Sequence, residues 1–101
     1  MVAMKVAITG ANDGIGRETA RQLLEKGHQV VMISRDSTKS ENALADLRKS
    51  GTVDLIHCDL ASLSEVARAA EKLQEDHPET QVVICNAGVM SKRRKESRDG
   101  L

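Results

Sequence analysis

The chain of 101 residues contains no phenylalanine, tyrosine or tryptophan. Its core must therefore be built from leucine, isoleucine, valine and methionine, and it offers no aromatic platform on which nucleic-acid bases could stack. Fifteen basic residues balance fifteen acidic residues, so the formal net charge is zero. This balance gives no electrostatic footprint for a nucleic acid or an anionic membrane surface.

Cysteines and long apolar runs are also scarce. Cys58 and Cys85 each stand at the end of a short apolar run, which favours buried, reduced thiols over a disulfide framework. Together with three scattered histidines they form no recognised ligand spacing, so no metal is expected. No apolar run approaches a membrane span, and the first residues leave no room for a signal peptide. The expectation is a cytoplasmic protein.

Four short apolar runs alternate with three helical patterns. The apolar runs predict strands over 4–9, 29–34, 53–57 and 81–85, and the helical patterns cover 15–26, about 39–49, and the segment from 63 to Pro78. Thr38-x-x-Glu41 and Ser62-x-x-Glu65 are capping-box patterns, and Gly27 is a predicted helix C-cap. This β-α-β-α-β-α-β order predicts an α/β fold whose parallel strands are joined by right-handed crossovers.

The third helical pattern also predicts which of its sides is buried. Its apolar residues recur at helical spacing and would lie on one face. They are Leu63, Val66, Ala67, Ala70 and Leu73.

A glycine-rich octet, Thr9 to Gly16, stands between the first strand and the first helix. A strand that ends in glycines and continues as a helix directs backbone N–H groups and the positive end of the helix dipole to one spot, which favours phosphate. Gly10 lets the chain reverse, Gly14 leaves room for a pyrophosphate, and Gly16 lets the helix pack closely on the sheet. The octet lacks the Gly-Lys-Ser/Thr ending of a P-loop, which disfavours an ATPase or a kinase.

The octet resembles the Thr-Gly-x-x-x-Gly-x-Gly signature of the short-chain dehydrogenase/reductase family. Two later segments agree with it in order and spacing: residues 58–60, Cys-Asp-Leu, and residues 85–88, Cys-Asn-Ala-Gly, which resemble the family's Asn-Asn-Ala-Gly. Residues 33–36, Ile-Ser-Arg-Asp, and 16–20, Gly-Arg-Glu-Thr-Ala, are similar to the retinol-dehydrogenase-like branch. That branch generally prefers NADP.

The resemblance implies a Rossmann-type parallel sheet of strand order 3-2-1-4, incomplete relative to the family fold, with the cofactor across the carboxyl ends of the strands. Each motif follows a strand, so one crevice can collect them all. The open edge beyond the fourth strand favours self-association or pairing with a missing C-terminal part. The cofactor-binding residues expected from the resemblance are Gly10, Asn12, Asp13, Gly14, Ile15, Gly16, Ser34, Arg35, Asp59, Leu60, Asn86, Ala87 and Gly88.

Several of these side chains have a second interpretation. Arg35 offers planar donors to a 2′-phosphate and favours NADP, whereas Asp36 beside it can serve the ribose hydroxyls of NAD. Asp59 can contact the adenine or cap the third helix. Asn86 can line the ribose or simply support a turn, since asparagine tolerates left-handed backbone. Arg17 can reach a phosphate or lie exposed on the first helix.

The catalysis of the resembled family rests on a Tyr-x-x-x-Lys pair with a nearby serine. This chain has no tyrosine, so no catalytic residue is assigned and the chain alone is expected to be inactive. Residues 1–90 are expected to form a dinucleotide-binding half-domain, and 91–101 a flexible basic tail. The expected function is the NADP(H)-binding part of a short-chain oxidoreductase acting on a carbonyl or alcohol. The alternative is a nucleotide-binding or regulatory module without chemistry of its own.

Overall fold

A computed structural model describes residues 3–12 and 14–85. Strands and helices alternate in the order β1 (Lys5–Thr9), α1 (Gly14–Glu25), β2 (Gln29–Ser34), α2 (Thr38–Leu47), β3 (Val53–His57), α3 (Leu63–Asp76) and β4 (Thr80–Cys85). All strand pairings are parallel, and the strand order is β3-β2-β1-β4. The predicted α/β fold and its strand order are confirmed. The proposed boundary at residue 91 lies outside the described residues.

The core consists of two apolar layers, one on each face of the sheet. Successive strand residues point to opposite faces, so Val6 and Ile8 of β1 face one layer and Ala7 faces the other. The first layer also holds the buried residues of α1 and α2, and the second holds Ala69 and Leu73 of α3. The sheet therefore lies between α1 and α2 on one side and α3 on the other.

The end of α1 is set by Gly27, as predicted. The Gly27 N–H donates to the Leu24 carbonyl at 3.0 Å, and the His28 N–H donates to the Leu23 carbonyl at 3.0 Å. These two bonds form a Schellman motif, which satisfies carbonyls that the end of the helix would otherwise leave unpaired. The chain can then enter β2 without a gap in its backbone hydrogen bonding.

The two predicted capping boxes have different outcomes. The N-cap of α2 is Ser37 rather than Thr38, because the Ser37 hydroxyl accepts from the Ser40 N–H at 3.1 Å. Two adjacent hydroxyl residues make this start ambiguous in sequence, and only the tertiary position of α2 decides between them. In α3 the N-cap is Ser62 as expected, and its hydroxyl accepts from the Glu65 N–H at 3.4 Å.

The predicted buried face of α3 is wrong in part. Leu63 is 88% exposed and Val66 is 37% exposed, whereas Ala69 is buried and Leu73 packs against the core. Among the described elements α3 lies mainly against β3. The buried side of α3 is therefore displaced from the apolar stripe that periodicity predicts, since Ala69 is not part of that stripe. Within the described residues, no helix is long and apolar enough to cross a membrane.

The strands at the two sides of the sheet differ in their surfaces. β3 carries Asp54 and His57 among its exposed residues. β4, Thr-Gln-Val-Val-Ile-Cys, has no charged residue, and its Val82 and Val83 are 39% and 53% exposed. Because these neighbouring valines point to opposite faces, β4 presents apolar surface on both sides. Within the described part of the chain, the predicted open edge is therefore present at β4.

Candidate functional site

The carboxyl ends of the strands meet at one edge of the sheet. Thr9 at the end of β1 is paired with Ile33 of β2 and with Cys85 of β4, and Ser34 of β2 is paired with His57 of β3. Because the strands are parallel and in register, the segments that follow them leave the sheet side by side. The sequence motifs expected to form one crevice lie after these strand ends.

The glycine-rich turn leaves β1 through Gly10, whose N–H donates to the Ile33 carbonyl at 3.3 Å. Gly10 and Gly14 have φ angles of 71° and 56°, a region in which other residues are strained. A Cβ atom on Gly14 would meet no atom within 4 Å, so the backbone at the start of α1 borders open space. Gly16 is buried in α1, and Ile15 is 79% exposed. This arrangement suits the expected pyrophosphate site.

A serine cluster, Ser34, Ser37 and Ser40, lies at the loop that follows β2, with Ser34 and Ser40 buried and Ser37 half-buried. The Ser40 Oγ is 3.0 Å from the Ser34 Oγ and 3.1 Å from the Ser37 Oγ. Its hydroxyl donates to the Arg35 carbonyl at 2.7 Å, and the Asn12 Nδ2 donates to it at 3.3 Å. The serine cluster thus joins the glycine-rich turn to the loop after β2. Ser40 cannot be recognised from sequence as part of the site, because its spacing to Ser37 signals only a helix start.

Arg35 is exposed at the end of β2. Its guanidinium has no hydrogen bond or ion pair within residues 3–12 and 14–85. The Asp36 carboxylate lies 4.0 Å from the His57 Nε2, and the Glu41 carboxylate lies 3.3 Å from the same nitrogen. Asp36 therefore lies beside His57 instead of pairing with the neighbouring arginine, which leaves the guanidinium available to an anion.

Three of these side chains form a group that could hold a metal ion, although the sequence led us to expect none. Ligand atoms of Asp36, Glu41 and His57 lie within 4.8 Å of one another. The spacing of cysteines and histidines along the sequence does not reveal this group, because its members come from separate segments of the chain. All three side chains are exposed, and exposed acidic groups are common in proteins without a metal ion.

Asp59 stabilises the turn that follows β3. Its Oδ1 accepts from the Ala61 N–H at 3.0 Å, and its N–H donates to the Glu65 Oε1 at 2.8 Å. Because Ser62 is the N-cap of α3, the alternative role of Asp59 as the helix cap is wrong. Leu60 is half-buried and packs against the second core layer.

Arg17 connects α1 to α2. Its Nη2 donates to the Asp46 Oδ2 at 2.8 Å, and the Arg21 Nη2 donates to the same oxygen at 3.4 Å. The hydrogen bond from Arg17 is the main reason that the pKa of Asp46 is lowered. Arg17 is thus half-buried and not exposed as one interpretation had it, and the sequence did not indicate its ion pair between two helices.

The fourth strand brings Cys85 to the same edge, opposite Thr9 of β1, where it is exposed because no described element covers β4 there, so the expectation of a buried thiol is wrong for Cys85. The other cysteine, Cys58, is buried, and burial, with smaller contributions from Glu65 and Asp59, raises the pKa of its thiol. The predicted site residues Asp13, Asn86, Ala87 and Gly88 lie outside the described residues.

Comparison with known proteins gives the family. The model of the family described as short chain dehydrogenase matches residues 4–99. Retinol dehydrogenase 13 of Homo sapiens is 38% identical over 98 residues, which cover 94% of this chain and 30% of that protein. This chain spans only about a third of the length of such relatives.

Solved structures agree with the sequence comparison. A short-chain dehydrogenase from Sphingobium yanoikuyae in complex with NADPH has 32% identity and a TM-score of 0.73, and the match covers 84% of this chain and 34% of that one. An NAD+-bound xylitol dehydrogenase has 26% identity and a TM-score of 0.78, and the match covers 84% of this chain and 33% of the other. With the family model matched along nearly its whole length, the chain belongs to the short-chain dehydrogenase family, in its retinol-dehydrogenase-like branch.

Proposed function

We propose that this chain is the NADP(H)-binding part of a short-chain oxidoreductase that acts on a carbonyl or alcohol substrate. The observation that carries the proposal is the open space beside the Cα of Gly14, on the same sheet edge as the Arg35 guanidinium, which has no partner among residues 3–12 and 14–85. When bound, the nicotinamide donates or accepts the hydride. The residues proposed to hold the cofactor are Gly10, Asn12, Asp13, Gly14, Ile15, Gly16, Ser34, Arg35, Asp59, Leu60, Asn86, Ala87 and Gly88.

The preference for NADP over NAD rests on the end of β2. A guanidinium binds phosphate through charge-assisted hydrogen bonds, and Arg35 has no competing partner among the described residues. The carboxylate that would serve the ribose of NAD is Asp36, which lies near His57. Solved relatives carry NADPH in one case and NAD+ in another, so membership of the family does not decide between NADP and NAD. The preference depends on the residues at the end of β2.

We further propose that the chain alone binds the cofactor without turning over a substrate. It contains no tyrosine, so it supplies no phenol to pass a proton to or from the substrate oxygen. The same observation favours the second candidate, a nucleotide-binding or regulatory module without chemistry. Reading the messenger RNA beyond the codon for Leu101 separates the two. A Tyr-x-x-x-Lys segment in frame supports the oxidoreductase, and a stop codon supports the module.

The open edge at β4 motivates a proposal about partners. Val82 and Val83 expose apolar surface on both faces of an uncharged strand whose outer edge is unpaired within the described residues. Such edges pair readily with other strands. We propose that a second copy or a C-terminal part of the protein covers this edge in solution.

Fluorescence titration tests the cofactor proposal. Binding of NADPH or NADH is read as the change in nicotinamide emission, to which the chain adds no emission of its own because it has neither tryptophan nor tyrosine. The variants are Arg35→Ala and, as a control with the same charge change, Arg68→Ala on α3, which packs on the opposite face from α1 and α2. Saturable binding that favours NADPH, is weakened in Arg35→Ala and is unchanged in Arg68→Ala supports the proposal.

Two other results contradict it. Equal loss in both arginine variants means that the overall charge, and no specific phosphate contact, controls binding. No binding of either nucleotide by a chain that circular dichroism shows to be folded means that the described residues do not form a working cofactor site.

A further inference from the structure

We propose that Ser40 is a positioning residue that sets the preference for the 2′-phosphate by fixing the backbone that carries Arg35. The inference deepens the proposed function and rests on it. Ser40 does not itself reach the crevice, because it is fully buried in the first turn of α2. It acts through the groups that its hydroxyl contacts.

The bond from Ser40 to the Arg35 carbonyl is the first step of the argument. At 2.7 Å it is the shortest contact in the serine cluster. It fixes the orientation of the peptide plane between Arg35 and Asp36. Because that plane limits the ψ angle of Arg35 and the φ angle of Asp36, it constrains the direction in which both side chains leave the backbone.

The contact with Asn12 is the second step. Asn12 belongs to the glycine-rich turn, and its side-chain amide donates to the Ser40 Oγ at 3.3 Å. The ribose that joins the pyrophosphate to the 2′-phosphate limits the distance between them, so protein segments that bind both groups must lie within a limited distance of each other. Ser40 contacts both segments, and it therefore holds them in one frame before the cofactor arrives.

Capping of α2 is not the function of this hydroxyl. The Ser37 side chain caps the helix by accepting from the Ser40 backbone N–H, and an alanine at position 40 keeps that N–H. Alanine also has the highest helix propensity. Ser40→Ala therefore removes the link between the two loops while leaving the cap and the helix in place.

The experiment compares Ser40→Ala with Val53→Ala, a control that destabilises the core at the amino end of β3, away from the crevice. Val53 is 3% exposed, so both changes affect a buried site. We expect the ratio of the NADPH and NADH affinities to fall about fivefold in Ser40→Ala, the effect of one hydrogen bond. The ratio stays within about twofold of the wild type in Val53→Ala, as expected when only stability changes.

A second readout needs no nucleotide. The NMR chemical shifts of the Arg35 carbonyl ¹³C and of the Asn12 side-chain Nδ2 ¹⁵N are measured in the chain without nucleotide. Both move together in Ser40→Ala and stay in place in Val53→Ala if Ser40 links the two loops. A change at only one of them refutes the link.

The outcomes separate this inference from the proposed function. A wild-type chain that prefers NADPH, together with a Ser40→Ala variant of unchanged selectivity, refutes the positioning role alone. A folded wild-type chain that binds neither nucleotide, or both equally well, refutes the proposed function and the positioning role together. A fall in selectivity that Val53→Ala reproduces also overturns the inference, because stability then explains the effect.

Discussion

Replacing Gly14 by alanine should weaken cofactor binding far more than it destabilises the fold. Gly14 has a φ of 56°, and a Cβ atom added there meets no atom within 4 Å. The folded chain therefore bears only the backbone strain, about 1–2 kcal/mol for a left-handed residue. A domain of this size should lose about 4–8 °C in melting temperature for each kcal/mol.

The effect on binding has a different origin. The added methyl group occupies the open space in which we place the pyrophosphate, and it separates the phosphate oxygens from the backbone N–H groups. Loss of one charge-assisted hydrogen bond, about 1.5–3 kcal/mol, corresponds to a loss of affinity of about 10- to 150-fold. NADPH and NADH should lose affinity equally, since both carry the pyrophosphate.

Gly27→Ala is the matched control. Gly27 has a φ of 93°, and a Cβ atom there also meets nothing within 4 Å. It precedes β2 and so lies at the amino end of the sheet, away from the crevice. Calorimetry should show similar destabilisation of the two variants, and fluorescence titration should show lost affinity in Gly14→Ala alone. Wild-type affinity in a folded Gly14→Ala chain refutes the placement of the pyrophosphate, and equal loss in both variants attributes the effect to stability.

The remaining predictions concern charge, thiol chemistry and association. The hydrogen bond from Arg17 is the main cause that lowers the pKa of Asp46 from its ordinary value of 3.8. The ionised Asp46 carboxylate therefore stabilises the folded chain above about pH 3.8, and this stabilisation is lost as the pH falls through the lowered pKa. Chemical denaturation of wild type and Asp46→Asn should therefore give different stabilities at neutral pH that converge in acid, and a constant difference down to pH 2 contradicts the assigned cause. Iodoacetamide should label the exposed Cys85 quickly and the buried Cys58, whose pKa burial raises, only after unfolding, as mass spectrometry of digested samples can show. Val83→Lys should lower any concentration-dependent association seen by light scattering, and unchanged association would remove β4 from the interface.

Most of the fold could be predicted because buried parallel strands are recognisable in sequence. β2 begins at Gln29 and ends at Ser34 in both the prediction and the structure, since strands covered on both faces are continuous apolar runs. The buried side of α3 was harder to predict. Periodicity identifies an apolar stripe, but which part of it is covered depends on where the helix lies on the sheet, and Leu63 is left exposed.

The site shows a similar division. Gly14 could be identified because its neighbours in sequence form a recognisable turn. Ser40 could not, because its importance comes from the contacts of its hydroxyl with Asn12 in the glycine-rich turn, Ser34 at the end of β2 and Arg35 in the loop after it. Hydrogen bonds of this kind depend on tertiary structure and leave no local pattern.

The pairing of β1 with β4 has a consequence for the order in which the site forms. Thr9 in the first strand lies beside Cys85 in the last, so this edge closes only after the whole intervening chain has been brought together. Closing so long a loop is entropically costly, and contacts of this range generally form slowly during folding. The glycine-rich turn and the Arg35 loop need only β1 and β2, which are close in sequence. The segments that recognise phosphate can therefore form early in folding, while the pairing of β4 with β1 completes the crevice later. A bound dinucleotide that spans this edge would stabilise that later step.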